Sequence, residues 1–407
     1  MWLTPRVRLT GNCLEYYNFI SNSPPRKRWA MSDKHPPPTH SRREGDGMRP
    51  TAGRDAFLGE ILEQPGALRR AAGSLIEQVE ALGPVAGSDV RSRPLLLTGM
   101  GSSYHTCLAA ASILGRGGVL AVTANAAELL HFRREALTEA SLVVIVSQSG
   151  QSVEVVRLAE EFAARGRRPP LVAITNGTDN PLASMVDVPL DTAAGEEVGP
   201  STMSYAATFV PLRALVAVIL ASPGKAWRHE VEQTVLNARQ AADAAGWMLR
   251  SPGELAGDLM AWMSGRRSLA ILGRGVARGA AETGALVLKE AARFPVEALD
   301  AAEFRHGPLE LADPNLAVVL LSLEEGIRPL DRRLAEELAR HGAAVMIVGD
   351  LDGGADGTRS LGIGRLDPLL SCAVAVIPAQ LLAWRLALAG GWHPGEFLRA
   401  SKVTTRE

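Results

Sequence analysis

The loop SQSGQS (147–152) has the composition and the setting of a phosphate-binding site. It holds three serines, two glutamines and one glycine, and it follows the apolar run LVVIV (142–146). Serine hydroxyls and backbone N–H groups together form a neutral nest that suits a phosphate dianion. A flexible linker has a similar composition, but a linker would not join a buried strand to a helix within one unit. The sequence therefore predicts a phosphate site, and the lack of a lysine or Walker pattern argues against a nucleoside triphosphate.

Three ionisable side chains elsewhere could act on a ligand that this loop holds. Glu290 lies on a mostly apolar predicted helix, His306 precedes Gly-Pro at the end of a segment, and Lys402 belongs to the terminal stretch LRASKVTTRE (398–407). A carboxylate on an apolar face needs a partner or a task. Taken singly, the glutamate and the histidine are better explained as solvated or structurally satisfied side chains, and the lysine is undecided. Their combination with a phosphate loop is what favours catalysis.

Two further motifs could contribute to the same site. GMGSS (99–103) places glycines after a strand, where backbone amides at a helix N-terminus can approach an anion. A tight strand-to-helix turn explains it equally well, and Tyr104 stands where a dinucleotide fingerprint needs its third glycine. GEEVGPSTMSYAAT (195–208) is rich in small hydroxyl residues that could close over the ligand, although helix capping alone would account for Ser201 and Thr202.

Composition narrows the class of protein. The chain has 407 residues, 46% of them hydrophobic, and a formal net charge of −1, so nothing draws it to nucleic acid or to acidic membranes. We find no apolar stretch of the roughly 18 residues that a membrane span needs, and we interpret 371–392 as a buried helix interrupted by Pro378 and Arg385. Three cysteines without pairing or metal-ligand spacing suit buried structural roles in a reducing cytosol. We expect a cytoplasmic protein with a small-molecule partner.

Apolar strands alternate with helical segments along most of the chain. LLLTG (95–99) and LVAIT (171–175) are typical of buried strands, and SLAILGRG (268–275) resembles PLLLTGMG (94–101) in ending on Gly-x-Gly. This pattern predicts an α/β fold with two similar units, each a parallel sheet flanked by helices, and a ligand site between the units. The first 50 residues are rich in Pro, Arg and Ser and are expected to be disordered.

The motifs together resemble the sugar isomerase (SIS) domain family. GMGSSY, VSQSGQS, EEVGPST, ALVLKE, EFRHGPLEL and ASKVT occur in the family's order over roughly 55–407, and they are most similar to the isomerase half of the glutamine–fructose-6-phosphate aminotransferases. The resemblance implies two tandem SIS domains, each a flavodoxin-like parallel sheet. The boundaries that we expect are a disordered extension (1–50), a lead-in helix (51–82), SIS domain 1 (83–225), a helical connector (226–252), SIS domain 2 (253–393) and a catalytic tail (394–407).

The resemblance also implies a hexose 6-phosphate or amino-sugar phosphate as substrate and assigns roles to residues. Glu290 matches the glutamate that moves a proton between C1 and C2, His306 the ring-opening histidine supplied by the other subunit of a homodimer, and Lys402 the tail lysine that contacts the open-chain sugar and can form an imine with it. The positions that match the substrate-binding loops are Ser103, Ser147, Gln148, Ser149, Ser152, Ser201 and Thr202. Proton transfer beside a carbonyl needs a positioned base and an oxyanion partner, so no metal or other cofactor is expected.

The sequence departs from the family pattern at several places. The synthases begin with a glutaminase domain whose nucleophile is an N-terminal cysteine, whereas this chain begins MWLTPR, so we expect no glutamine hydrolysis. Val287 stands where the synthases have a lysine three residues before the glutamate, and Gln151 stands where many members have Glu. We therefore favour isomerisation coupled to ammonia release from glucosamine 6-phosphate or a related sugar. Ammonia-dependent aminotransferase-like synthesis, a fructosamine-6-phosphate deglycase and a non-catalytic sugar-phosphate sensor remain alternatives.

Overall fold

The computed structural model of this chain describes residues 56–86, 90, 94–133, 142–165, 168–221, 227–349 and 355–406. The segment 1–50, for which disorder is expected, lies outside the described residues, and so does Cys13.

The first α/β unit contains a five-stranded parallel sheet. Its strands are β1 (Leu95–Gly99), β2 (Ala121–Thr123), β3 (Leu142–Val146), β4 (Leu171–Thr175) and β5 (Val188–Asp191). They lie in the order β2-β1-β3-β4-β5, and all neighbours are parallel. Every residue of β1, β3 and β4 is buried, which is why these strands appear in the sequence as unbroken apolar runs.

The second unit repeats this arrangement. Its strands are β6 (Ser268–Gly273), β7 (Glu297–Asp300), β8 (Leu316–Ser322), β9 (Ala344–Gly349) and β10 (Arg359–Gly362), in the order β10-β9-β8-β6-β7. Counted within each unit, both sheets have the flavodoxin-like order 2-1-3-4-5, so the predicted pair of similar parallel sheets is confirmed. The sequence did not reveal β10, because this edge strand is short and mostly exposed and lacks an apolar run.

Helices cover both sheets and connect them. In the first unit they are α1 (Ala56–Leu62), α2 (Gln64–Glu77), α3 (Gly83–Ala86), α4 (Gly101–Arg116), α5 (Ala126–Phe132), α6 (Val153–Ala163), α7 (Pro181–Ser184) and α8 (Met203–Leu220). They continue with α9 (Trp227–Met248), α10 (Pro252–Met263), α11 (Ala277–Ala292), α12 (Arg328–Arg340), α13 (Pro368–Ala375) and α14 (Ile377–Ala389). Short 3₁₀ turns occur at Val79–Leu82, Glu303–Arg305, Pro308–Leu311 and Glu325–Ile327.

One large core joins the two units. It takes buried side chains from one face of each sheet and from the helices between them, while two smaller clusters lie on the other faces of the sheets. At the centre, α4 of the first unit packs on α11 of the second. Gly279 permits this close approach, because a Cβ at that position would collide with the backbone oxygen of His105.

The imidazole of His105 lies at this helix contact. Burial, with a smaller effect of Lys289, lowers its pKa to about 4, and its Nδ1 lies 3.1 Å from Thr283 Oγ1.

The expectation that no apolar stretch is long enough to span a membrane is wrong by length and composition. Met203–Leu220 and Pro368–Ala389 both pass that test, but 83% and 78% of these windows are buried inside the protein. The second window is the α13–α14 segment, so its interpretation as buried helix agrees with the structure. Both segments serve as core helices here, because a helix that is apolar all round is satisfied by packing on every side.

Candidate functional site

A cavity of about 220 Å³ opens at the carboxyl ends of β1 and β3. Elements of both units and the C-terminal tail line it: Met100, Gly101, Ser102, Ser103, Ser147, Gln148, Ser149, Ser152, Pro200, Ser201, Leu286, Glu290, Phe397, Ala400, Ser401, Lys402 and Thr404. In an open parallel α/β sheet this edge, beside the point where the strand order reverses, is where ligands bind. The cavity therefore brings distant segments of the sequence together at one position of the fold.

The floor of the cavity is an uncharged cradle at two helix N-termini. Met100 is extended and Gly101 has φ +51°, which turns the chain sharply from β1 into α4. The hydroxyl oxygens of Ser147 and Ser149 accept backbone N–H bonds from Gly150 (3.2 Å) and Gln151 (3.1 Å) and so hold the loop before α6. The positive ends of two helix dipoles then face the same space, which favours an anion there.

Glu290 enters the cavity from α11 in the second unit. Desolvation by burial raises the pKa of its carboxyl from 4.5 to about 7; the nearby Lys402 lowers this pKa and Glu197 raises it. A carboxyl that titrates near neutral pH can both take up and return a proton. Lys289, the next residue along the helix, is exposed, and Val287 is buried in the core, so neither side chain reaches into the cavity.

Lys402 is fixed in place by a buried carboxylate. Its Nζ donates to Glu197 Oε2 and to the Gly199 carbonyl oxygen, both at 2.6 Å. The Glu197 side chain is fully buried, whereas that of Lys402 is 22% exposed. Glu197 also accepts bonds from both the backbone N–H and the hydroxyl of Thr202 (2.8 and 3.1 Å) and of Ser204 (3.0 and 2.5 Å). The carboxylate thus links the start of α8 to the C-terminal tail.

A second buried carboxylate supports the same loop. Glu60 on α1 accepts N–H bonds from Val198 (2.5 Å) and Gly199 (3.1 Å). Burial raises the pKa of Glu60, although these backbone bonds oppose the shift. The loop that carries the carbonyl partner of Lys402 is therefore anchored from the lead-in helix as well as from α8.

The C-terminal tail is docked along the site rather than frayed. The backbone N–H of Val153, at the first residue of α6, donates to the Thr404 carbonyl at 3.1 Å. Farther back, the guanidinium of Arg293 lies 4.1 Å from the centre of the Trp392 ring. One contact fixes the start of the tail beside the end of α11, and the other fixes its end beside the SQSGQS loop, so Lys402 between them is held at the cavity wall.

Two of the predicted site residues do not line the cavity. Thr202 is fully buried with its hydroxyl turned to Glu197, so it supports the site instead of facing it. His306 lies in the exposed turn after β7. The other predicted residues, which are Ser103, Ser147, Gln148, Ser149, Ser152, Ser201, Glu290 and Lys402, all face the same cavity.

Glu197 and Glu60 were missed by reasoning from the sequence. The signal for Glu197 was present in EEVGPST, but two adjacent glutamates gave no means of choosing, and only the structure shows Glu196 exposed and Glu197 buried. Glu60 follows Phe57 by three residues and so lies on the apolar face of α1, which is a pattern that could have indicated a buried carboxylate. Within the described ranges, no three His, Cys, Asp or Glu side chains are grouped so as to hold a metal ion.

Comparison with known proteins identifies the family. The SIS domain model matches residues 90–218 and 263–356, which is more than half of the chain. The glutamine–fructose-6-phosphate aminotransferase (isomerizing) of Pyrobaculum aerophilum is 28% identical over 357 residues, covering 86% of this chain and 57% of the relative. The chain thus spans little more than half the length of that relative.

Solved structures share the fold. The C-terminal domain of glucosamine-fructose-6-phosphate aminotransferase from Francisella tularensis has a TM-score of 0.70 at 22% identity, with 82% of this chain and 96% of that one covered. The glucosamine-6-phosphate deaminase of Thermotoga maritima has a TM-score of 0.65 at 21% identity, with 85% and 98% covered. Two parallel sheets of the same order and two matched segments agree with tandem SIS domains. This chain belongs to the SIS domain family.

Proposed function

We propose that this protein is a sugar-phosphate isomerase and deaminase that acts on glucosamine 6-phosphate or a related aminohexose 6-phosphate. The observation that carries the proposal is the position of Glu290, whose carboxyl titrates near neutral pH and shares one cavity with an uncharged anion cradle and an ammonium group. The names of the P. aerophilum and T. maritima relatives, which concern fructose 6-phosphate and glucosamine 6-phosphate, support the substrate class.

The phosphate of the substrate binds to the cradle in this mechanism. Ser103, Ser147, Ser149 and Ser152 supply hydroxyls, and the N-termini of α4 and α6 supply N–H groups and dipoles. This anchor places the far end of the open-chain sugar toward Glu290. The phosphate then fixes orientation, and the chemistry takes place at C1 and C2.

Glu290 removes the C2 proton of the open-chain amino sugar and returns it to C1. The intermediate is an enolamine, and the protonated imine that follows is hydrolysed, so glucosamine 6-phosphate and water give fructose 6-phosphate and ammonia. The Lys402 ammonium stabilises the negative charge that develops on the sugar oxygen. His306 opens the sugar ring from the partner subunit of a homodimer, which fits its exposed place outside the cavity of its own subunit.

Val287 favours ammonia release over synthesis. It is buried three residues before Glu290, where the synthases carry a lysine. A valine there offers no charge or hydrogen bond for handling an amino-group donor. Once the sugar ring is open, deamination and isomerisation need only the base, the ammonium and the cradle, and all three line the cavity.

Turnover of three candidate substrates tests the proposal. The purified protein is incubated with glucosamine 6-phosphate, with fructose 6-phosphate plus ammonia, and with fructoselysine 6-phosphate, and products are followed by mass. We expect fructose 6-phosphate and ammonia from the first. Conversion of only the second or third points to the synthase-like or deglycase alternative. Tight binding of a sugar phosphate with no turnover of any supports the sensor and contradicts the enzyme.

Mixed dimers test the placement of His306. Glu290→Gln and His306→Ala chains are each expected to be inactive alone. If His306 acts across the interface, a heterodimer has one intact site, so random mixing restores about a quarter of the wild-type activity. No recovery in verified heterodimers contradicts a histidine shared between subunits.

A further inference from the structure

The sheet registers show which residues of the second unit correspond to the phosphate cradle of the first. Gly99 pairs with Val146 in the first sheet, and Gly273 pairs with Leu321 in the second. Both glycines open a Gly-x-Gly turn whose last glycine has a positive φ, +51° at Gly101 and +54° at Gly275. Counting three residues beyond the paired strand ends therefore makes Glu324 the counterpart of Ser149.

In the second unit, Glu324 fills the space that is equivalent to the open cradle of the first unit. Its Oε1 accepts the backbone N–H of Val276, the residue that precedes α11, at 3.1 Å. The same oxygen lies against Gly275, so a Cβ on that glycine would collide with it. The carboxylate is 8% exposed and is therefore bound as an internal anion at the helix N-terminus.

A cation from the first unit completes this arrangement. Arg116, the last residue of α4, pairs with Glu324 Oε2. Arg274 is nearby, but its guanidinium is committed to the buried carboxylate of Asp331 at 2.9 Å, so it does not serve as the partner of Glu324. In the first unit, by contrast, the cavity beside the N-terminus of α4 stays open.

We propose that the second unit holds a latent phosphate-class anion site that Glu324 keeps permanently filled. Each chain then binds sugar phosphate at one cradle only, and the filled cradle instead ties the two units together through Arg116. The parallel with the first cradle rests on the proposed function. The latent site itself does not, because it is defined by the bound carboxylate, the Val276 N–H and the arginine.

The test counts inorganic phosphate bound per chain by equilibrium dialysis. Glu324→Ala is expected to bind one phosphate more than the wild type, whatever the wild-type number is. Adding Arg116→Ala in that background should weaken the added site about tenfold, because its cation is removed. Glu325→Ala is the matched control, since this neighbouring glutamate pairs with Arg365 at the exposed surface, whereas the contacts to the Val276 N–H and to Arg116 belong to Glu324.

Several results decide the matter. An equal phosphate count in Glu324→Ala and in the wild type overturns the proposal, and so does the same gain in Glu325→Ala. Glu324→Ser, which copies the first cradle, replaces the alanine variant if that does not fold. A variant that folds only with phosphate present counts as the expected gain, and one that is equally unfolded in phosphate and in chloride refutes it. A wild type that binds no phosphate would refute the proposed function alone.

Discussion

Replacing Glu290 with Gln should change how the stability of the protein depends on pH. Burial raises the pKa of this carboxyl from 4.5 to about 7. Between those values the folded chain keeps a proton that the unfolded chain has released, so the carboxyl lowers the free energy of unfolding as pH rises. About 2.5 pKa units at 1.36 kcal/mol each set an upper limit of about 3 kcal/mol. Because the side chain is only partly buried, we expect about 1–3 kcal/mol.

Urea unfolding of both proteins across pH 4 to 8 measures this effect. Glutamine has nearly the same shape and no charge, so the variant should match the wild type near pH 4 and exceed it in stability at pH 8. Other titrating groups are common to both proteins and cancel in the difference. Glu297→Gln is the control, because surface substitutions usually change stability by less than about 0.5 kcal/mol. A difference that stays flat with pH, or that favours the wild type at pH 8, refutes the raised pKa of Glu290.

Two further predictions concern the stability contributed by single contacts, one at the cavity wall and one where α4 packs on α11. Lys402→Met removes the cation from the fully buried Glu197 and should lower the free energy of unfolding by about 1–3 kcal/mol, part of which a second change, Glu197→Gln, should restore; an unchanged urea midpoint would contradict the ion pair. Gly279→Ala should destabilise the protein by about 1–3 kcal/mol, because its Cβ meets the backbone of His105. Gly257→Ala, where the added Cβ meets nothing, should be neutral or stabilising by up to about 1 kcal/mol in the same assay.

The fold could be predicted from the sequence wherever burial leaves a periodic trace. Strands such as β1 and β4 are buried on both faces, so their apolar runs mark them to the residue. The sequence did not reveal two features, the first of which is a strand. β10 is an exposed edge strand held by pairing with β9 and not by apolar burial. The second is the apolar character of Met203–Leu220: a long helix was expected over 205–250, but its first part was not recognised as apolar on every side.

The candidate site could be predicted from the sequence only where the residue types of a single loop indicate binding. SQSGQS was placed correctly between strand and helix, because a serine-rich turn at that position offers hydroxyl and backbone N–H groups to an anion. Glu197 could not be chosen over Glu196, because burial of one of two adjacent carboxylates depends on the distant tail that supplies Lys402. Likewise, the anchoring of the tail through Thr404 and Val153 is a long-range backbone contact that no side-chain pattern reports.

Solvent hydrogen exchange tests most directly whether Glu290 is the base. Glucosamine 6-phosphate is incubated with the protein in heavy water, and the C2 hydrogen is followed by proton NMR. We expect the wild type to remove this hydrogen from C2, by exchange with solvent or by transfer to C1, and Glu290→Gln to remove it about 10²–10⁴-fold more slowly while still binding the sugar. Loss of the C2 hydrogen at equal rates in both proteins, or its complete retention at C2 by a wild type that binds the sugar, contradicts the assignment of Glu290 as the proton carrier.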